Sequence, residues 1–402
     1  MTPNSADSSL SPRVWGVALI PLALLGALIY LIIRTGPAER LRGEDVPPVE
    51  RLAIERAVLS NDGIELYVLN DGPDPVTIAQ VTVDDAYWAF TAEENRTELR
   101  HLGRTRLDIP YPWVQGEAHF VKVITSTGTV FEHEIAVAVE TPKVETRQIL
   151  AFALIGLYVG VIPVALGLMW FPLVKRLGPT GLDVLLALTI GLLLFLLIDT
   201  AHEVVSSAAG LPESYQGLAV FTAAALGAYL ALEAFGSWLK ARRSAGVRRG
   251  SNGAVLALLI ATGIGLHNFG EGLAIGAAFA LGEAALGTLL VVGFMLHNTT
   301  EGLAIVAPLA KERPSLRQLA WLGFIGGAPT VVGAWVGGLV YSPVLAVLFL
   351  GLGAGAIAQV LLQIGRQMAG TESISRRFSS PPVLSGLAAG FLIMLVTGML
   401  VG

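Results

Sequence analysis

Two stretches of an otherwise apolar chain carry the same three polar residues in the same order. They are "LHNFGEGLAIG", Leu266 to Gly276, and "LHNTTEGLAIV", Leu296 to Val306, identical at eight of eleven positions. Within each copy His and Glu are four apart, so on a helix they share one face, one turn from each other. His267 with Glu271 and His297 with Glu301 therefore form two ligand pairs, bordered by Asn268 and Asn298. Imidazole, carboxylate and amide donors suit Zn²⁺, Fe²⁺, Mn²⁺ or a related divalent ion. The chain has no cysteine, which removes thiolate ligands, cysteine nucleophiles and disulfides together. A carboxylate deep in an apolar span costs a few kcal/mol, on the order of insertion-scale values, unless a cation, a partner or water offsets it. The competing reading is a polar network that holds helices together. Two ionisable residues per helix in repeated order favour the cation site.

The elements that must position these groups follow from composition. The chain of 402 residues is 53% hydrophobic and only 14% charged, with a mean hydropathy of +0.67; a soluble domain carries nearer a quarter charged residues, so the chain belongs in a membrane. Eight apolar runs follow Thr146, at roughly 149–172, 182–206, 216–239, 253–281, 284–310, 318–341, 344–365 and 383–402. The motifs fall on the fourth and fifth. His267 and His297 are equidistant from Gly282 in the short connection, so an antiparallel pair sets both at one depth, about 22 Å from the turn and near mid-membrane. Helices packed about 8–10 Å apart let both motifs converge on one ion. Lys175 and Arg176, then Lys240, Arg242, Arg243, Arg248 and Arg249, then Lys311, Arg313 and Arg317, then Arg366, Arg376 and Arg377 lie in alternate loops. The positive-inside rule puts those loops in the cytoplasm. Arg13 before the first run and Arg34, Arg40 and Arg42 after it argue locally for the opposite sense, but four loops agree against one.

The first 147 residues differ in kind. A run from Trp15 to Ile33 is long enough to cross a membrane and lacks the small-x-small site of a cleaved signal, so it is expected to be an uncleaved anchor. Residues 45–147 hold most of the charge and alternate with period two: in "TVFEHEIAVAV", Phe131, His133, Ile135, Val137 and Val139 share one face and Glu132 and Glu134 the other, as in a strand. Turn signals recur at Asp62-Gly63, Asn70-Asp71-Gly72-Pro73 and Ser126-Thr127-Gly128. The expected fold is a polytopic α-helical membrane protein in three parts. Residues 1–44 form an anchor helix and linker. Residues 45–147 form an all-β sandwich of about seven strands and immunoglobulin-like size. Residues 148–402 form an eight-helix core. The N-terminus is expected inside, with the β-domain and C-terminus outside.

The paired HNxxEG motifs resemble those of the ZIP (Zrt/Irt-like) divalent-metal transporters, and the doubled form is similar to the bacterial GufA-like branch. The resemblance covers about 149–402. It implies transport of Zn²⁺, or of Fe²⁺, Mn²⁺ or Cd²⁺, toward the cytoplasm of a bacterial or archaeal plasma membrane. It implies His267, Asn268, Glu271, Asn298 and Glu301 as ligands, with His297 at a motif position that need not ligate in every member. Three features depart from the pattern. Gly270 and Thr300 stand where the branch usually has Pro before the motif Glu; Gly270 can still loosen its helix, Thr300 does not. The sixth run, "WLGFIGGAPTVVGAWVGGLV", supplies no carboxylate for a second ion. The anchor and β-domain are additions.

Other polar residues extend the expected route. Asp199, His202 and Glu203 stand near the outer end of the second run as an entry relay, and Gln359 and Gln363 are placed toward the exit on the seventh. Glu233 is expected to be solvated or paired. His101, His119 and His133 have no close ligand spacing, and His133 is expected in a core or rim. No resident cofactor is expected; the metal is cargo, membrane lipid surrounds the core, and nucleic acid is not a partner. The Gly-rich sixth and seventh runs permit a homodimer. The chain is not expected to be an enzyme. An intramembrane metal-dependent hydrolase is the alternative, but HNxxEG lacks the paired His of HExxH. A receptor using the β-domain leaves the motif unused.

Overall fold

The computed structural model describes residues 20–21, 23–31, 47–135, 137–141, 145–209, 211–244, 252–280, 284–340, 342–370 and 373–401. They divide into a short unit, Met1–Val49, and a second, Glu50–Gly402. In the first, residues 20–21 and 23–31 are helical. The rest of the expected anchor run lies outside the described residues, as do Arg13, Arg34, Arg40, Arg42, Arg248, Arg249 and Gly282.

Among the described residues the second unit begins with nine strands, two more than expected. They are β1 (Leu52–Ser60), β2 (Gly63–Asn70), β3 (Val76–Val83), β4 (Ala86–Trp88), β5 (Thr91–Ala92), β6 (Glu98–Leu99), β7 (Arg104–Ile109), β8 (His119–Thr125) and β9 (Val130–Ile135). One sheet runs β1-β2-β7-β5 and the other β4-β3-β8-β9, with β6 also on β3. The pairs are antiparallel. Alternation is the cause: Leu66, Val68 and Leu107 from one sheet and Val81, Val83, Val121 and Val123 from the other are fully buried in one core, while Glu65, Tyr67 and Lys122 between them are only half-buried. All three turn signals fall at strand junctions, with Gly63 and Asn70 as the end residues of β2. The shortest strands, β4 to β6, are two or three residues long, too short to show periodicity.

The remaining chain forms eight helices long and apolar enough to cross a membrane, among the described residues. They are α1 (Thr146–Val174), α2 (Pro179–Ala209), α3 (Gly217–Ser244), α4 (Asn252–Ala280), α5 (Ala284–Val306), α6 (Leu316–Leu339), α7 (Pro343–Ala369) and α8 (Pro381–Val401). Eight such helices fit an integral membrane protein. Leu150, Leu154, Leu226, Leu230, Leu392 and Val396 are exposed, as a lipid-facing surface requires. Ser315 starts α6 with a reciprocal cap: its side chain accepts from the Gln318 N–H, and the Gln318 side chain accepts from the Ser315 N–H at 2.8 Å.

Two helices are interrupted. In α1, residues Leu157–Val161 form a π turn just before Pro163. In α6, regular helix stops at Gly327 and resumes at Pro329. Proline has no N–H to return to the carbonyl four residues back, so Val159 and Ile325 lose their usual donors. By contrast α4 and α5 run through Gly270 and Thr300 without a break. The helix is continuous at Gly270, and the breaks are in the helices opposite.

Packing depends on small residues. α4 packs chiefly on the second half of α6 and on α7, and α5 chiefly on α1. At Gly272 and Gly276 of α4 an added Cβ would sit 2.1 Å from the Thr330 carbonyl oxygen and 2.4 Å from that of Ala334. At Gly333 and Gly337 it would sit 2.0 Å from the carbonyls of Phe269 and Leu273. The two backbones touch along a seam with no side chain between them.

Candidate metal site

α4 and α5 meet less extensively than expected, yet their motifs converge on Glu271. Its Oε1 accepts a hydrogen bond from His297 Nε2 across the helix pair and lies 3.3 Å from His267 Nε2 on its own helix. The other oxygen, Oε2, accepts from Asn298 Nδ2 at 2.9 Å. One ligand atom each from His267, Glu271 and His297 lies within 4.8 Å of the others. Ligands about 2.1 Å from a zinc-sized ion in a tetrahedron are about 3.4 Å apart. Small rotamer changes would therefore close these three around an ion.

The asparagines are held by the two interruptions. Asn298 Nδ2 donates to the Val159 carbonyl at 3.0 Å, the carbonyl that Pro163 leaves without its regular donor. Asn268 Nδ2 donates to the Gly326 carbonyl at 3.1 Å, beside the break in α6. Both asparagines are fully buried, and both Oδ1 atoms have no hydrogen-bond partner. Glu301 is buried and neither of its carboxylate oxygens has one. His267 Nε2 has only the 3.3 Å contact, outside hydrogen-bonding geometry. Among the described residues, four buried oxygens and one ring nitrogen thus lack a hydrogen bond of normal geometry. Buried acceptors in folded proteins are nearly always paired, so such a group calls for a ligand.

A cavity of about 210 Å³ leads to the cluster. Its walls come from Phe195, Asp199 and Glu203 of α2, Gly270 of α4, Phe294 of α5, Phe349 of α7 and Thr397 of α8, and His267, Glu271 and His297 form part of its lining. It is roomy enough for several waters. It occupies the end of the bundle where α2 finishes and α5 begins. Toward the other end Ile264, Leu303, Ile305, Ile357 and Val360 close into the main apolar core.

Of the residues placed along the expected route, Asp199 and Glu203 line the cavity. His202, between them in sequence, is exposed and is not part of that lining, because one residue along a helix turns a side chain by about 100°. Gln359 is not at an open exit. It is buried, and its amide nitrogen donates to Glu233 Oε2 at 3.2 Å. Glu233 also accepts from Arg366 at 3.0 Å, which is the paired role expected for it. Gln363 is half-buried one turn further on. Sequence reasoning missed the carbonyls of Val159 and Gly326 and the aromatic walls. Pro163 and Pro329 inside apolar runs were the available signal for the carbonyls.

The histidines of the β-region are structural. His119 is buried, with Nδ1 2.7 Å from Asp84 Oδ2 and Nε2 accepting from the Val114 N–H at 3.2 Å. Tyr111 donates to the same Asp84 oxygen at 2.7 Å. His101 Nδ1 bonds the Gly72 carbonyl at 2.8 Å, and His133 is half-buried on β9, on the face expected. Among the described residues no group of metal-ligating side chains occurs there.

Searches of family models and of curated proteins return no match to this chain.

Proposed function

We propose that the chain carries a divalent transition-metal ion, Zn²⁺ foremost, across a membrane through the His267–Glu271–His297 cluster. The carrying observation is the set of buried acceptors without hydrogen-bonding partners: both Glu301 oxygens and the Oδ1 atoms of Asn268 and Asn298. A cation bound by two imidazoles and two carboxylates would use lone pairs that otherwise stay unpaired. The similarity of the doubled HNxxEG to the ZIP family, GufA-like branch, supports the same reading, as do eight helices.

In this proposal the ion enters the cavity past Asp199 and Glu203, loses water, and exchanges the Glu271–His contacts for its own coordination. It leaves at the end bearing Lys175, Arg176, Lys240, Arg242 and Lys311, which the positive-inside rule makes cytoplasmic. Release there requires the apolar plug of Ile264, Ile305 and Val360 to part, an alternating-access change around a fixed site. The β-region then lies outside a plasma membrane. Its two sheets around one core support the immunoglobulin-like sandwich, and the helical residues 20–21 and 23–31 support an anchor.

Uptake of Zn²⁺, Cd²⁺, Fe²⁺ and Mn²⁺ into proteoliposomes tests the proposal. Saturable flux is expected from the natural chain and none from a His267→Ala, Glu301→Ala double variant. Binding without flux for every ion would overturn it.

A further inference from the structure

The turn between α2 and α3 is held by the β-region at three successive residues. Glu213, Ser214 and Tyr215 form a single 3-10 turn. Asp71, in the turn between β2 and β3, accepts from the Glu213 N–H at 2.7 Å and the Ser214 N–H at 2.9 Å. Arg51 pairs with the Glu213 carboxylate. The Tyr215 hydroxyl donates to Glu55 and accepts from Arg104. The residue that follows, Gln216, sits in the left-handed region at φ 46°, which a side chain with a Cβ adopts only under constraint.

This turn is also mechanically tied to the cavity. Leu211 and Val204 are buried together with Val347, and Tyr215 and Val344 pack on them. The end of α2 and the start of α7 therefore move with the turn. Both helices wall the cavity, α2 through Phe195, Asp199 and Glu203 and α7 through Phe349 and Gly353.

We propose that the β-region is a clamp: by gripping residues 213–215 it fixes the α2 and α7 walls and holds the cavity open at its own end of the bundle. Closing that end would require α2 and α7 to shift toward α4 and α5, and the grip resists the shift. The inference rests on the metal-carrier reading for its biological meaning, but the clamp itself is a statement about cavity access and can be tested apart from it.

The chain has no cysteine, so one introduced thiol is a unique reporter. Gly398 lines the cavity, and a Cβ there meets only Phe195 Cζ, at 3.7 Å. The full chain carrying Gly398→Cys, in lipid nanodiscs, would be reacted with a charged methanethiosulfonate and the rate measured. Adding Asp71→Ala and Arg51→Ala should slow labelling at least about fivefold. Arg51→Glu alone should also slow it, and Arg51→Glu with Glu213→Arg should restore it to within about twofold, since the pair is rebuilt in reverse. A rate unchanged or raised by Asp71→Ala and Arg51→Ala would overturn the clamp. So would a slow Arg51→Glu rate that the reversed pair fails to restore, because the loss would then be one of β1 folding. Zn²⁺ uptake measured in parallel separates the two ideas. Slowed labelling in a chain that moves no metal keeps the clamp and removes the carrier; unchanged labelling in a chain that moves metal does the reverse.

Discussion

Three asparagines, one in the β-region and two in the helices, are fully buried, and they are treated in opposite ways. Asn70 uses every polar atom. Its Nδ2 donates to the carbonyls of Asp74 and Leu99 at 2.8 and 2.9 Å, and its Oδ1 accepts from the Gly72 N–H at 2.9 Å. Asn268 and Asn298 donate through nitrogen and leave their oxygens unpaired. In the β-region the fold itself satisfies this buried amide, although the buried hydroxyls of Thr82 and Thr105 there have no hydrogen-bond partner among the described residues. The helical site pays for unpaired ones. A saturated buried amide is part of the scaffold; a half-saturated one, repeated on a second helix beside an unpaired carboxylate, points to something that arrives from outside.

The largest effect that sharpens this contrast is expected at Glu301. Glu301→Gln removes a charge while keeping an oxygen that can accept from Asn268, so metal flux should fall on the order of 100-fold while the melting temperature holds or rises. A sharp loss of stability with flux intact would make Glu301 scaffold and erase the distinction. Next comes Asn70→Ala, expected to cost about 2 kcal/mol because it takes the side-chain donor from two carbonyls and leaves the Gly72 N–H only its 3.2 Å bond to the Arg51 carbonyl, measured by denaturant unfolding of the full chain. A smaller effect, roughly 10-fold on metal affinity, is expected from Asn298→Ala. Calorimetry with Zn²⁺ checks it, and an unchanged affinity would leave Asn298 as a brace for α1 alone.

The smallest effects are those of pH on the β-region. Burial works to raise the Asp84 carboxyl, but the Phe120 N–H, His119 and Tyr111 outweigh it and hold the group below its usual range. Its contribution is therefore present above the ordinary carboxylate range and lost as pH falls through the lowered value. The bond to Asp84, with burial, pushes Tyr111 up to about 12. That contribution is complete below about pH 10 and is lost as pH rises toward 12. Hydrogen exchange of β3 and β8 amides should quicken at both extremes, with Asp84→Asn flattening the acid limb and Tyr111→Phe the alkaline one. Limbs identical to those of the natural chain would remove this pair from the account of β-region stability.

The sequence disclosed the features that periodicity and residue type encode. The eight apolar runs became eight helices, the alternation in "TVFEHEIAVAV" became β9, and the repeat placed His267, Glu271 and His297 within reach of one another. What stayed hidden has no residue type of its own. The sixth run carries no carboxylate, yet its Gly326 contributes a carbonyl that braces Asn268. Backbone carbonyls exist at every position and become available only where helix geometry fails. Gln359 and Glu233 lie 126 residues apart, and Asp71 meets its partners 142 and 143 residues away. Such pairings depend on how helices and sheets stack, which local spacing does not record.

The glycine seam between α4 and α6 bears on inherited variation. Gly272, Gly276, Gly333 and Gly337 each have backbone atoms of the facing helix where a Cβ would go, whereas Gly270, inside the same motif, has nothing within 4 Å. Every missense codon change at the four seam positions adds at least one carbon to a space already filled. A complete substitution scan should therefore score them as intolerant even of alanine, and pass Gly270→Ala. Two of the four seam glycines, Gly333 and Gly337, stand outside the repeated stretches, so a reader of genomes who marked only the repeated His, Asn and Glu would file damaging alleles of this chain as harmless.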